Sequence, residues 1–412
     1  MRLNPTLLPI LLAAAYAAEP AIAQSGDSAK LCAHIAPLAE QLTKISGMPL
    51  RHAVPCDFIT KEKIKEFLNK RVKEVAKPED LRAEELTLKK FGLVPPDFDL
   101  AENTVDLLTE QAAAFYDYDK KKLFITDTTV LETQEPVLSH ELAHAIADQN
   151  YNLSKFIKAG RNSDDGATAR LAVMEGQATW LMSELLARKM GQSLHDSPSL
   201  VDTMSGTADG TAGQFPVFDN APLYLRISLV FPYAKGMLFQ QAVFQRDGIG
   251  GFGEVFRKPP VSTQQILHPE KYFSGVKPTQ PELPQAHLPK GYKSLVGGSL
   301  GELEHAIMLE QYSGKPLAQE LAPHWRGCTF DLEENKKAGR VVLLYAVEWD
   351  TEDAARQYFA AYRTQLARKW KQMRVDTESA DAVTGTGDDG RFELRRNGAV
   401  VTSMEGLPPA LD

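Results

Sequence analysis

Ile59, Ile64, Phe67 and Leu68 recur at helical spacing among dense charge, and the pattern predicts a largely helical stretch over residues 30–90. Pro95-Pro96 ends it. Short apolar runs at 113–119 and 123–126, joined by a Lys-rich turn, predict two strands of a hairpin. Residues 136–148 keep one apolar face of Val137, Leu138, Leu142, Ala145 and Ile146, which predicts a helix with Pro136 in its first turn. A second long helix is expected over 167–190, after the turn-rich stretch 160–166. Residues 192–220 are rich in Gly, Ser, Thr and Asp and predict a long loop. A further helix is expected over 233–245, ended by Gly248, Gly250 and Gly251.

Pro278, Pro281, Pro284 and Pro289 give residues 277–290 the character of a semi-rigid linker. Beyond it the pattern predicts a strand over 341–347, an amphipathic helix over 351–370 and a strand pair over 391–402 turning at Asn397-Gly398. The expected fold class is α+β. Its units are a helical N-terminal region (24–92), a central domain (93–276), the linker, and a small α+β domain (291–412).

The first 23 residues stand apart. Arg2 precedes an apolar run from Leu7 to Ala15, and Ala21-Ile22-Ala23 offers a small-x-small cleavage site, so residues 1–23 read as an export signal. The protein is expected to be periplasmic or secreted. No later stretch reaches the roughly 20 apolar residues needed to cross a bilayer, so no stable membrane insertion is expected once the signal is removed. A net charge of -8 without a long basic run argues against nucleic acid as a partner. Export permits disulfides, and three cysteines remain: Cys32, Cys56 and Cys328. Cys32 with Cys56 is the most economical pair, though either could pair with Cys328. No CxxC spacing points to a cysteine metal site.

His140-Glu141-Leu142-Ala143-His144 is an HExxH motif within the helix expected at 136–148. Positions i and i+4 differ by about 40° around a helix and about 6 Å along it, so two imidazoles can meet one metal ion. Glu141 then reaches a water on that ion rather than the ion itself, as a general base does. A third ligand must come from elsewhere, because Asp148 would lie about 12 Å along the axis from His140. Glu175 is the best candidate: it interrupts an otherwise apolar stripe of Leu171, Ala178, Met182 and Leu185, where an uncompensated carboxylate is costly. Gly176 beside it would let the two helices approach closely. The 31-residue separation excludes the compact HExxHxxGxxH arrangement, whose glycine and third histidine positions hold Ala147 and Asn150.

HExxH followed by a helix-borne glutamate resembles the gluzincin group of zinc metallopeptidases, most closely minigluzincin-like secreted bacterial proteins. The resemblance takes in the upstream strands, residues 140–149 and 174–178, and the segment from Pro259 to Tyr272. It implies Zn2+ held by His140, His144 and Glu175, with Glu141 as general base and a peptide or protein substrate lying along a strand edge at 113–118 or 123–126. It also implies a tyrosine or histidine that stabilises the oxyanion, for which Tyr233 and His268 are candidates, although packing or helix capping is the commoner reason for either residue. Ser262 and Gln265 have capping-box spacing. Thermolysin-like members carry an aspartate where this chain has Thr179, leaving the support of the histidines unassigned, with Asp148 as a weak substitute. The alternatives are a non-catalytic scaffold or binding protein that holds zinc structurally, and a zinc amidase acting on non-protein amides.

Export should remove residues 1–23 and leave Gln24 at the N-terminus, as intact-mass analysis of exported protein would record. A retained Met1 would mean a membrane anchor instead.

Overall fold

The computed structural model describes residues 32–75, 77–111, 114–126, 131–160, 163–206 and 215–409. The export segment lies outside them. The chain is a mixed α+β protein, and its described residues form two sheets. Within the described residues, no helix is long and apolar enough to cross a membrane.

The N-terminal region is helical in α1 (Ile35–Ser46), α2 (Lys61–Val75) and α3 (Pro78–Lys90), but a strand that periodicity did not suggest, β1 (Cys56–Ile59), interrupts it. Cys32 and Cys56 are disulfide-bonded, which ties α1 to β1, and Cys328 is a buried thiol. α4 (Leu100–Gln111) leads into β2 (Ala114–Asp117) and β3 (Lys122–Thr126). These form the expected antiparallel pair, and β1 adds parallel to β3, giving the order β1-β3-β2. β3 is therefore central and offers no free edge, contrary to one of the two expectations for 123–126. Residue 113 of the expected strand lies outside the described residues.

α5 (Leu131–Tyr151) is longer than the expected 136–148 and holds Pro136 in its interior rather than in its first turn. α6 (Leu153–Lys158) follows after Asn152, whose side chain caps it. α7 (Asp164–Lys189) starts at Ser163, where the hydroxyl accepts the Gly166 N–H. The loop expected over 192–220 contains α8 (Pro198–Gly206) and α9 (Pro216–Asn220), whose first amides are bound by Glu110; residues 207–214 of it lie outside the described residues. α10 (Leu223–Asp247) begins ten residues before the expected helix and runs through Pro232. Short helices α11 (Gly251–Arg257), α12 (Thr263–Leu267) and α13 (Pro269–Phe273) complete this part.

Residues 277–290 contain no helix or regular strand, as a proline-rich linker should. The C-terminal unit is a seven-stranded antiparallel sheet. In chain order it comprises β4 (Lys293–Gly298), α14 (Glu302–Ser313), α15 (Lys315–Leu321), β5 (Trp325–Asn335), β6 (Arg340–Trp349), α16 (Glu352–Lys369), β7 (Arg374–Glu378), β8 (Ala382–Gly387), β9 (Gly390–Asn397) and β10 (Val400–Leu407). The sheet order is β4-β5-β6-β10-β9-β8-β7. One buried core runs from Ile35 to Val401 without a break at the linker. The N-terminal helices join it directly: the Gln365 side-chain amide donates to Phe91 O at 2.7 Å, and the Tyr312 hydroxyl to Gly92 O at 2.7 Å.

The disulfide closes 24 residues of sequence, so Cys56→Ser should cost roughly 3 kcal/mol in denaturant unfolding. Cys32→Ser should cost the same, the double variant no more, and reductant should add nothing to any of the three.

Candidate metal centre

One turn of α5 presents His140, Glu141 and His144, because residues three and four apart share a helix face. α7 runs antiparallel to α5, as the ion pair between Lys189 and Glu135 at one end requires. Glu175 thereby meets both imidazoles. His140 Nε2 lies 3.0 Å from Glu175 Oε2, His144 Nε2 lies 3.2 Å from it, and the two Nε2 atoms are 3.0 Å apart. All three side chains are buried, Glu175 completely.

α10 lies parallel to α7, and the crossing is made by glycines. A Cβ on Gly176 would stand 2.0 Å from the Gly236 carbonyl carbon, and one on Gly236 would stand 2.2 Å from Ala172 O. The close approach allowed by Gly176 is therefore to α10, not to the HExxH helix. Gly236 and Tyr233 are three residues apart and share a face, so this crossing carries Tyr233 beside the histidines. Its buried ring lies 5.8 Å from that of His140, inclined by 30°.

Burial would raise the Glu175 carboxyl, but the facing imidazoles of His144 and His140 outweigh it and hold the group at about 2. His144 moves the other way: the Glu175 carboxylate overcomes the effect of burial and raises it, whereas burial keeps His140 low. Glu141 has no such partner. Burial pushes it up to about 8, against the pull of His144 and the Tyr116 N–H, which donates to Glu141 Oε2 at 2.7 Å.

The donor set suits a small divalent cation. Three potential acceptors form a triangle with edges of 3.0–3.2 Å, close to the spacing of donors about 2.0–2.1 Å from a tetrahedral ion. Without a cation, protons on both Nε2 atoms serve Glu175 Oε2 but face each other across 3.0 Å, and a proton on only one of them leaves a contact unserved, whereas one shared cation satisfies all three atoms. Glu175 Oε1 and Thr179 Oγ1, one turn apart on α7, are also buried without a hydrogen-bond partner. Among the described residues, His140, His144 and Glu175 form the one group of three or more such side chains able to share an ion.

Of the other candidates, Asp148 does not reach the ligands. It accepts from the Tyr116 hydroxyl at 3.0 Å, Lys121 Nζ at 2.6 Å and the Leu153 N–H at 2.9 Å, so it fastens α5 to the hairpin. His268 is engaged elsewhere: its Nε2 lies 2.8 Å from Glu302 Oε1. Its helix docks on Asp165, ten residues or about 15 Å along α7 from Glu175. The structure thus assigns His268 to the contact with the C-terminal unit and away from the cluster, because its acidic partner lies in α14. Ser262 does cap α12, accepting from the Gln265 N–H at 3.2 Å. The contribution missed in the sequence is the Tyr116 backbone amide, since an N–H that orients a carboxylate leaves no mark on residue type.

Residues 293–412 match a family model described as a domain of unknown function (DUF8575). The match begins at β4 and leaves out the three helices of the centre. No curated protein and no solved structure matches the chain.

Gly236→Ala should destabilise the protein by about 1–3 kcal/mol or more, because the clash is with backbone. Gly250→Ala, with open space around its Cβ, should stay within about 0.5 kcal/mol. Denaturant unfolding of the two variants compares them directly.

Proposed function

We propose that the protein is an exported zinc-dependent metallohydrolase, a peptidase of the gluzincin type with His140, His144 and Glu175 as metal ligands. One observation carries this: beside a closed triangle of three donors stands a fourth buried side chain, Glu141, held off the triangle by the Tyr116 N–H. A purely structural zinc site has no use for an oriented, non-ligating carboxylate. The gluzincin assignment draws further support from the order of elements: an antiparallel strand pair, the HExxH helix, and a second helix bearing the glutamate 31 residues on.

Bound zinc supplies Lewis acidity toward water and a substrate carbonyl. Glu141 takes the proton of the attacking water and later passes it to the leaving amine, with the Tyr116 amide fixing its carboxylate for both steps. Tyr233, packed beside His140, offers a hydroxyl to the developing oxyanion. β2 is the outer strand on this side of the three-stranded sheet and supplies the main chain nearest Glu141, so an extended peptide is the fitting substrate. The Cys32–Cys56 disulfide supports an exported location, because such bonds persist in oxidising compartments.

Purified protein should cut a diverse peptide mixture in a chelator-sensitive, zinc-restored manner, as read by mass spectrometry. Stoichiometric metal retained by His140→Ala or His144→Ala would remove the ligand assignment.

Glu141→Gln should keep its zinc while turnover falls by about 10²-fold or more. Glu175→Gln should lose zinc and activity together. Parental turnover in Glu141→Gln would dismiss the base, and parental occupancy in Glu175→Gln would dismiss the third ligand.

A further inference from the structure

The first turn of α7 meets the C-terminal unit through carboxyl groups. A Cβ on Gly301 would stand 2.0 Å from Asp165 Oδ1, and one on Gly298 would stand 3.0 Å from Asp164 Oδ2, so both side chains lie directly against the opposing backbone. Asp165 Oδ1 accepts the amide and the hydroxyl of Thr263, each at 2.6 Å. The Gly301 N–H donates to Glu304 Oε2 at 2.7 Å. Two carboxyl groups thus approach one glycine.

The junction gathers acids and neutral groups from several elements, set against the amide ends of α7 and α14. α3 contributes Glu84, half-buried and acting on Asp164; α10 contributes the Tyr224 phenol. α14 contributes Glu304 and Glu302, and β5 contributes the Cys328 thiol. The basic side chains are two imidazoles: His268, which faces Glu302, and buried His305 of α14, whose Nδ1 lies 2.7 Å from Gly301 O. Among the described residues, no lysine or arginine forms an ion pair with Glu84, Asp164, Asp165, Glu302 or Glu304.

We propose that this junction is a pH-operated latch, closed while its carboxyl groups carry protons and loosened as they ionise. Like charges this close cannot all ionise without a counter-charge. Burial, reinforced by neighbouring acids, pushes Glu84 up to about 8, Asp165 up to about 7, and Asp164 well above the usual carboxylate range; Glu304 is raised chiefly by burial. In the open or unfolded chain these groups ionise near pH 4. The closed form therefore binds more protons between pH 4 and about 8, and linkage makes its stability fall as pH rises through that window. Half-buried Glu84 and Asp164 give solvent a route for proton exchange. The latch lies at the first turn of α7, about 15 Å along the helix from Glu175, and it does not depend on a metal there.

The test is the melting temperature of the full chain at about pH 5.5 and about pH 8.5, for the parent and for Glu84→Gln combined with Asp164→Asn. The parent should lose about 5 °C over this range. The double variant should lose half of that or less, and should melt above the parent at the higher pH. Equal slopes, or a variant less stable than the parent at about pH 8.5, would overturn the latch. Should the double variant fail to fold, Glu304→Gln decides, since it keeps an acceptor for the Gly301 N–H: a flattened slope supports the latch and a parental slope overturns it.

Discussion

A carboxylate with no access to water lies at the middle of α7, and the arrangement around it follows from that. Glu175 is wholly buried on a helix whose neighbouring positions, Val173, Met174, Gly176 and Ala178, offer it nothing. An ion so placed costs several kcal/mol unless opposite charge or strong donors surround it. Compensation comes from α5, which must lie alongside with two imidazoles one turn apart. Once that turn is committed, the residue after His140 is also buried, which is why Glu141 shares the site without touching Glu175. The other acid in this part of α7, Glu184, is satisfied separately by Arg188, Ser193 and the Leu194 N–H. Only Glu175 depends on the histidines.

The position of the third helix is set by steric limits rather than charge. Gly176 and Gly236 let the backbones of α7 and α10 meet, and large side chains lock the crossing on either side. Trp180 Nε1 donates to Gln241 Oε1 at 2.6 Å, and the Gln177 amide donates to Gln240 Oε1 at 3.4 Å. Both bonds are buried, so sliding α10 along α7 would break them without solvent to replace them. Tyr233 owes its place beside His140 to this packing. The hairpin is fixed by the Asp148 carboxylate, which binds Tyr116 through its hydroxyl while Glu141 binds the same residue through its amide. One residue of β2 is thus held at two points of α5.

What could be read from the sequence was local. HExxH declares itself because two histidines four apart share a helix face, and Glu175 because a lone acid breaks an apolar stripe. β1 was hidden: Cys56-Asp57-Phe58-Ile59 has no convincing alternation, and its extended form comes from parallel pairing with β3, more than 60 residues away in sequence. The early turns of α10 were hidden by Pro222 and Pro232, which punctuate a segment apolar on most faces and so without a helical stripe. β7 was hidden for the opposite reason, since every one of its residues is exposed. His268 was drawn toward the centre by its residue type. Its partner Glu302 lies beyond the linker, and no local spacing could have announced it.

The segment around His268 has a physical account as a bracket. Thr263 holds Asp165 of α7, Gln264 donates to Trp325 O at 2.5 Å, His268 faces Glu302, and Lys271 reaches Pro323 O at 3.2 Å. Within nine residues the chain therefore joins the start of α7 to two separate parts of the C-terminal unit. α7 is 26 residues long, a rod of about 39 Å. A packed helix does not bend to absorb a displacement at its first turn; it shifts as a body, because its neighbours are close-packed. Glu175 would move with it, while His140 and His144 stay with α5. Since the three donor atoms are separated by only 3.0–3.2 Å, a shift of half an ångström changes the triangle appreciably. The C-terminal unit thereby bears on the shape of the centre through α7, although none of its described residues is among the three donors.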